Sequence, residues 1–238
     1  MSMRLAANLP PSLSLERVLA SHGAGAPEDV ALVRAAVRDV AFHPAGADIM
    51  DGRDSLPAAV VSGWVARAKL FADGRRQIVS LHLPGDVLPA QEARLQGMGY
   101  VALTDAATAG ASLLAAAVME HRAGHERLAA AWSRVLCDSE TRLLRQLVRL
   151  GRLSAYERTA DLLVELHERQ TLSGETAGAK IFFPITQEVL ADVLGLSIVH
   201  ANRVLQQLRR ERLVVAGSGR MWSLDIEGLS AAAMIEQA

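Results

Sequence analysis

The sequence predicts an α+β fold with an N-terminal antiparallel β-roll of the jelly-roll type, a long helix and a C-terminal winged helix-turn-helix. Residues 41–117 alternate polar and apolar side chains between closely spaced turns, which is typical of short antiparallel strands. In residues 118–150, Gly and Pro become rare and apolar residues recur at helical spacing. Residues 151–238 contain two short helical segments with a hairpin pattern after them.

The composition restricts the classes of function. The 238 residues carry a formal net charge of −1 and are 50% hydrophobic, so any surface that attracts nucleic acid must be local. The one cysteine, Cys137, excludes a disulfide framework and a four-cysteine metal or iron–sulfur site within one chain. No apolar window approaches the roughly 20 residues of a membrane span, and the N-terminus is a poor signal peptide. We expect a cytoplasmic protein with no membrane partner.

The first two segments are an N-terminal helical segment, residues 1–40, and the β-roll that follows. Two turns mark the strands of the roll. Asp73-Gly74 lies between two alternating runs, and Gly tolerates the positive φ that a tight hairpin turn requires. Pro84-Gly85 marks a second turn.

The helix of residues 118–150 carries an apolar stripe with spacings of three, four and seven, interrupted by Glu140. Such a stripe is typical of a coiled-coil-like contact, although a helix lying on its own domain gives a similar pattern. Leu144 and Val148 supply a second apolar face, which we assign to the core of the same chain. The stripe therefore predicts a homodimer, with a seam formed by Trp132, Leu136, Leu143, Leu147 and Leu150.

The stretch LADVLGLSIVHANRVLQQLRRERL, residues 190–213, is typical of a helix-turn-helix. Thr186 and Ser197 can cap the two helices by accepting backbone N–H groups. Gly195 can end the first helix because Gly adopts the left-handed conformation that follows many helices. On the second helix we expect one stripe of side chains to face inward: Ala201, Val204, Leu205 and Leu208.

The opposite face of the second helix predicts contact with double-stranded DNA. The N-terminal turns of a recognition helix reach base edges in the major groove, where Arg can bond guanine and an aliphatic side chain can contact a thymine methyl. We expect the bases to be read by Val199, His200, Asn202 and Arg203. We expect the DNA backbone to be contacted by Thr186, Ser197, Gln206, Gln207, Arg209, Arg210, Arg212 and Arg220.

The distribution of charge supports this prediction. Residues 200–220 contain five arginines and one acidic residue, whereas the whole segment 151–238 has nine Lys/Arg and eleven Asp/Glu. Positive charge is therefore concentrated at the predicted recognition helix. The pattern LVVAGSGRMWSLD after it predicts two strands joined by a Gly-Ser-Gly turn, which is the wing.

Three motifs together resemble the Crp/Fnr superfamily of bacterial transcription regulators. FPITQEVLADVLGLSIVHANRVLQQLRRERL is similar to its winged-helix signature, VSGWVARAKLFADGRRQIVSLHLPGD to its β-roll, and LGRLSAYERTADLLVELHER to its linking helix. The resemblance covers roughly residues 40–230. It implies a homodimer on a palindromic operator with one recognition helix in each half-site, and RNA polymerase as a further candidate partner. Arg203 matches the base-reading arginine of the family, while Val199 stands where many members carry glutamate.

The sensor part departs from the resemblance. Gly85-Asp86 matches the start of the cyclic-nucleotide motif, but LQGMGYVALTDA holds no Arg-Ser pair, and the nearby cation Arg94 lies too early. A cyclic phosphate would lose its strongest contact, so we expect no cyclic AMP binding. We predict no cofactor. A small-molecule effector of unknown identity remains open, with Gly85, Asp86 and Arg94 as its candidate pocket.

Other constellations are weaker. His121 and His125 have the spacing of a metal-binding pair, although two solvated histidines are the simpler interpretation. A metal-dependent cupin-like enzyme would need several His and a carboxylate, and the roll offers only His43 and His82. Cys137 is a candidate redox switch. The remaining alternative is an effector-binding or protein-interaction module whose DNA binding is impaired.

Overall fold

The computed structural model describes residues 12–49, 57–89, 97–119 and 124–234. The chain divides into two compact units. The first unit comprises residues 1–67 and 81–141, and the second comprises residues 68–80 and 142–238. No helix in the described ranges is both long and apolar enough to cross a bilayer.

The first unit begins with two helices, α1 (Leu13–Ser21) and α2 (Pro27–Ala36). The strands of the roll follow along the chain: β1 (Arg38–His43), β2 (Ala58–Ser62), β3 (Val65–Leu70), β4 (Arg76–His82), β5 (Val87–Leu88), β6 (Met98–Ala102) and β7 (Ala106–Gly110). Residues 68–80, which include the end of β3 and the start of β4, belong to the second unit. One antiparallel sheet has the strand order β1-β7-β2-β5, and a three-stranded sheet has the order β4-β3-β6. The predicted antiparallel roll is therefore confirmed.

Both predicted turns of the roll are confirmed. At the β3–β4 hairpin the N–H of Phe71 donates to the carbonyl of Arg75 over 2.9 Å, and Gly74 has φ +83°. The second turn closes through the N–H of Asp86, which donates to the carbonyl of Leu83 over 2.9 Å.

Two helices follow the roll, α3 (Ser112–Met119) and α4 (Glu126–Arg152). The core of the first unit collects small and branched apolar side chains from the helices and the β1-β7-β2-β5 sheet. Trp132 lies in this core and is 4% exposed, so its assignment to a dimer seam is wrong. Its large ring gains more from burial in its own domain than it would on a surface stripe.

The exposed apolar face of α4 also differs from the prediction. Leu144 and Val148, which the sequence analysis assigned to the core of the chain, are each 56% exposed, and that assignment is wrong. Leu150 lies inward, because a Cβ at Gly195 would meet its Cδ2 at 3.3 Å. The exposed face is therefore shifted around the helix, and its large apolar side chains are Leu136, Leu143, Leu144, Leu147 and Val148.

The second unit contains the linking helix α5 and the predicted winged helix-turn-helix. Its elements are α5 (Ala155–Ser173), β8 (Lys180–Phe182), α6 (Gln187–Leu194), α7 (Ile198–Arg210), β9 (Val214–Ala216), a 3₁₀ turn (Ser218–Arg220), β10 (Met221–Leu224) and α8 (Ile226–Ala232). Strand β10 pairs antiparallel with both β8 and β9. Strands β9 and β10, with the turn between them, are the predicted wing.

Candidate nucleic-acid interface

Helix α6 begins and ends as its sequence predicts. The Thr186 hydroxyl accepts the N–H of Val189 at 3.2 Å, and Gly195 follows the helix in the left-handed conformation, with φ +63°. Leu190, Val193 and Leu194 are buried. The short helix is therefore fixed by its caps and by one apolar side.

Helix α7 starts two residues after Gly195. The Ser197 hydroxyl accepts the N–H of His200 at 3.2 Å and caps the helix. The predicted inward stripe is confirmed, because Ala201, Val204, Leu205 and Leu208 are all buried. This packing fixes the rotation of α7 about its axis and so determines which side chains face outward.

The outward face of α7 starts with apolar side chains and continues with polar ones. Val199 is 70% exposed and Ile198 is 47% exposed. His200, Arg203 and Gln206 are exposed, and Asn202 and Gln207 are half-buried. The four side chains predicted to read bases therefore lie on the first turns of α7, where a recognition helix contacts base edges.

The predicted backbone-contacting side chains fall into two groups. Arg210 and Arg212 are exposed. The guanidinium of Arg212, like that of the predicted base-reading Arg203, has no hydrogen-bond or ion-pair partner in the part of the chain that the structure describes. Thr186 and Ser197 are also exposed, although each hydroxyl oxygen already accepts a backbone N–H. These groups are available to a polyanion.

Other members of that set bind within the protein. The guanidinium of Arg209 lies over the Trp222 ring, 5.5 Å from its centroid, and Phe183 stacks on the same ring at 4.1 Å. Arg220 donates to the carbonyl of Pro184 over 3.1 Å. Arg209 therefore joins α7 to the wing, and a cation–π contact of this kind orients a guanidinium as well as stabilising it.

Glu211 limits the positive charge at the end of α7. Its carboxylate accepts from the Tyr156 hydroxyl and from Nε2 of Gln207 at 3.0 Å. The Tyr156 hydrogen bond, more than the one from Gln207, lowers the pKa of Glu211, while burial and the Glu211 carboxylate raise the pKa of Tyr156 to about 12. Glu211 is thus a fixed anion that ties α7 to α5, and the Gln207 amide is already bound.

A buried ionic cluster lies behind the helix-turn-helix, between α4 and α5. Arg149 is 2% exposed and donates to Asp161, Glu165 and Gln146, each over 2.6 Å. Burial alone would raise the pKa of Glu165, but the charges of Arg169 and Arg149 outweigh it and lower that pKa. Because every charge in this cluster is compensated, it supports α5 without attracting DNA.

Side chains that the sequence did not predict surround the end of α6. The carbonyls of Asp192, Val193 and Leu194 accept side-chain N–H groups from three distant segments. The donors are Gln77 in the β3–β4 hairpin, Gln146 in α4 and Arg158 in α5. No local sequence signal marks these contacts, because the partners are 36 to 115 residues apart.

The candidate effector pocket is only partly described, because Arg94 lies outside the described residues. Gly85 packs against α1, and a Cβ there would meet the carbonyl oxygen of Ser14 at 2.9 Å. The buried Asp86 carboxylate accepts the N–H of Leu83 at 2.7 Å within its own turn. At this turn the two residues serve packing and turn closure.

The other candidate residues are dispersed. His82 contacts the Tyr100 ring edge-on at 5.4 Å, and Nε2 of His43 lies 2.9 Å from the Thr108 hydroxyl. His125 is 4.0 Å from the buried carboxylate of Asp29, whereas His121 lies outside the described residues. Cys137 is exposed and has a free thiol. Within the described ranges, no three His, Cys, Asp or Glu side chains are arranged to hold a metal ion.

Comparison with known proteins places the chain among regulators. A Crp-like helix-turn-helix domain matches residues 157–232. The nitrogen fixation regulation protein FixK of Rhizobium meliloti (strain 1021) is 32% identical over 161 residues, which cover 68% of this chain and 70% of that protein. The transcriptional activator protein FnrL of Cereibacter sphaeroides is 27% identical over 179 residues, which cover 72% of this chain and 71% of that protein.

Solved structures agree on the fold. The structure of FixK2 from Bradyrhizobium japonicum matches with a TM-score of 0.67 at 24% identity, over 84% of this chain and 98% of that chain. The matched relatives are regulators, so the cupin-like enzyme alternative is excluded. The exposed first turns of α7, the wing and these matches lead to one assignment: the chain belongs to the Crp/Fnr superfamily of DNA-binding transcription regulators.

Proposed function

We propose that the protein binds a palindromic DNA operator as a homodimer, with helix α7 of each protomer in one of two successive major grooves. The observation that carries the proposal is the exposed start of α7, where Arg203 has no hydrogen-bond or ion-pair partner in the described part of the chain. An arginine without a protein partner keeps all its donors for guanine O6 and N7. Val199, His200 and Asn202 read the neighbouring positions.

The phosphate contacts flank this reading face. Arg210 and Arg212 are exposed after the last turns of α7, and the hydroxyls of Thr186 and Ser197 lie at the starts of the two helices. Helix N-termini and arginines are the groups that bind phosphate oxygens in most DNA complexes. Gln206 is exposed on the same helix and extends this set.

The second protomer is proposed to bind along α4. Leu147 is 69% exposed and Leu144 is 56% exposed. Leu136, Leu143 and Val148 complete the face. Burying it against a second copy would remove that apolar surface from water, and two-fold symmetry would match a palindromic operator.

The proposed cellular location follows from the DNA that the protein binds. Chromosomal DNA in a bacterium lies in the cytoplasm, and RNA polymerase is the partner through which a bound dimer would act on transcription. Any effector would bind in the roll, where Gly85 packs against α1 and the Asp86 carboxylate accepts the N–H of Leu83. These two contacts do not define the chemistry of an effector.

The test is selection of genomic DNA fragments by the purified, ligand-free protein, followed by sequencing, with sedimentation of the free and bound protein. We expect a two-fold symmetric motif whose half-site centres are about 34–36 Å apart, bound by two protomers. If the purified protein shows only salt-sensitive, sequence-blind binding, the selection is repeated in cell extract, where a motif would indicate a missing effector. Sequence-blind binding under both conditions would contradict the proposal and favour the interaction-module alternative.

A further inference from the structure

The last turn of α6 is bound by side chains from outside the helix-turn-helix. The final carbonyls of a helix have no partner within the helix. Here the carbonyl of Asp192 accepts Nε2 of Gln77 at 2.8 Å, that of Val193 accepts Nε2 of Gln146 at 2.6 Å, and that of Leu194 accepts Nη1 of Arg158 at 3.1 Å. Three consecutive carbonyls are thus satisfied from three separate elements.

The hairpin tip makes a second, charged contact with the same turn. Residues 68–80 belong to the second unit. Within this segment Arg76 donates from Nε at 2.8 Å and from Nη2 at 2.7 Å to Oδ2 of Asp192. Both side chains are partly buried, at 28% and 23% exposure. A charge-assisted pair with two donors fixes direction as well as distance.

These side chains also surround the turn that leads into α7. A Cβ at Gly195 would lie 3.3 Å from Cδ2 of Leu150, 3.7 Å from Oε1 of Gln77 and 3.9 Å from Nη1 of Arg158. The N-cap of α7, Ser197, follows two residues later. The groups that hold the end of α6 therefore also hold the segment that sets the start and direction of α7.

The contact leaves the DNA-reading face accessible. With Arg76 and Gln77 bound to Asp192, Val199 remains 70% exposed and Arg203 is exposed. An inhibitory contact would be expected to cover these side chains. The hairpin instead holds the helix pair at the α6–α7 turn without covering the exposed face of α7.

We propose that Arg76 and Gln77 are positioning residues for DNA recognition, which hold the α6–α7 turn in the orientation that specific reading requires. The inference rests on the proposed function, because it assigns a role in DNA reading to a hairpin that does not itself carry the recognition helix. Side chains that hold a binding group must fix it within a fraction of an ångström. Loss of the hairpin contact therefore affects specific binding more than non-specific binding.

The test measures affinity for the selected operator and for a scrambled duplex of equal length. Arg76→Asp replaces the ion pair with two facing carboxylates. We expect operator affinity to fall about tenfold, which is within the range of effects seen when residues that couple two distant sites are mutated. Affinity for the scrambled duplex should change by less than about twofold, because phosphate contacts alone carry it. Arg76→Asp combined with Asp192→Arg restores the pair with its polarity reversed and should recover most of the operator affinity.

Arg75→Asp is the matched control. Arg75 is the adjacent residue, its side chain is 79% exposed, and it pairs with Asp73 inside the hairpin turn, so its replacement should leave both affinities unchanged. Equal losses on both duplexes with a lower melting temperature would reduce Arg76 to a structural role and overturn the inference. Unchanged or increased operator affinity in Arg76→Asp would also overturn it. A wild-type protein that selects no motif would overturn the proposed function first, and the positioning role with it.

Discussion

The second unit contains two sets of arginines with opposite surroundings. Behind the helix-turn-helix, Arg149 is 2% exposed and binds Asp161, Glu165 and Gln146, and Arg145 binds Asp161 at 2.7 Å. On the front, the guanidinium groups of Arg203 and Arg212 lie in solvent, with no hydrogen-bond or ion-pair partner among the described residues. The same residue type thus stabilises the unit on one side and is available for DNA on the other.

The difference shows that arginine count alone does not locate a DNA surface. A buried arginine must be paired, because an uncompensated buried charge is strongly unfavourable, and pairing removes its attraction for phosphate. An exposed arginine has little cost when unpaired, since water solvates it. What distinguishes Arg203 and Arg212 is therefore that no carboxylate among the described residues pairs with them, whereas Glu211 accepts hydrogen bonds from Tyr156 and Gln207 at the end of α7.

The largest expected effect on stability comes from disrupting the buried ionic cluster around Arg149. Glu165→Gln removes the carboxylate that Arg149 and Arg169 bind. We expect the free energy of unfolding to fall by about 3–5 kcal/mol at neutral pH, the range for removing one partner of a buried pair. Chemical denaturation at pH 7 measures this, and Glu168→Gln is the control. Glu168 is an exposed partner of Arg145 at 3.3 Å, so its change should be below about 1 kcal/mol.

The same variant should change the dependence of stability on pH. The pKa of Glu165 is lowered in the folded protein, so its stabilising contribution is full above the unfolded-state pKa, about 4.3, and is lost as pH falls through the folded pKa. The stability difference between wild type and Glu165→Gln should therefore shrink below about pH 4. A difference that stays constant to lower pH would contradict this account of the cluster.

Replacing one of the unpaired, exposed arginines should leave the stability of the protein unchanged and alter its recognition of DNA. Arg203→Ala should lower operator affinity by about 5- to 150-fold for each half-site and relax specificity at one position of each, as expected for a bidentate guanine contact. Competition binding against single-base operator variants measures this. The control is Arg210→Ala, which should weaken binding to all sequences and reduce the salt slope by about two, because each protomer loses one phosphate contact. Unchanged specificity in Arg203→Ala would mean that α7 docks differently.

The smallest expected effect concerns Arg212, where the contribution of the backbone conformation can be separated from that of the charge. Arg212 follows α7 in the left-handed conformation, with φ +62°, which costs a residue with a Cβ about 1 kcal/mol. Arg212→Gly should raise stability by about this amount while weakening DNA binding through the lost charge. Arg212→Ala removes the charge but keeps the unfavourable backbone. It should weaken binding equally without the gain in melting temperature, and an equal gain in both variants would refute the explanation.

Local signals predicted the helix-turn-helix well. Thr186, Gly195 and Ser197 act within three or four residues of their own positions, so their caps can be read from the sequence. The Ser154 capping box at the start of α5 is equally local, with Glu157 bound in both directions. The inward stripe of α7 followed from helical spacing, because an amphipathic helix has one apolar side.

Predictions failed where the outcome depended on distant packing. Helix α4 has apolar residues around more than one side, and only the packed core determines that Trp132 is buried while Leu144 and Val148 are exposed. The contact of Arg209 with Trp222 required the register of the wing, and the contact of Gln77 with Asp192 joins residues 115 positions apart. The sequence pattern thus predicted which side of α7 is exposed but not the side chains that bind the end of α6.

The three donors at the end of α6 bear on how freely this DNA-binding module can be exchanged between proteins. A chimaera that joined residues 151–238 to another sensor would keep Arg158 but lose Gln77 and Gln146. Two of its last helix carbonyls would then depend on water or on whatever side chains the new host supplied. Exchange of this module would therefore succeed only where the new host replaces the hydrogen bonds of two glutamines that lie outside the module itself.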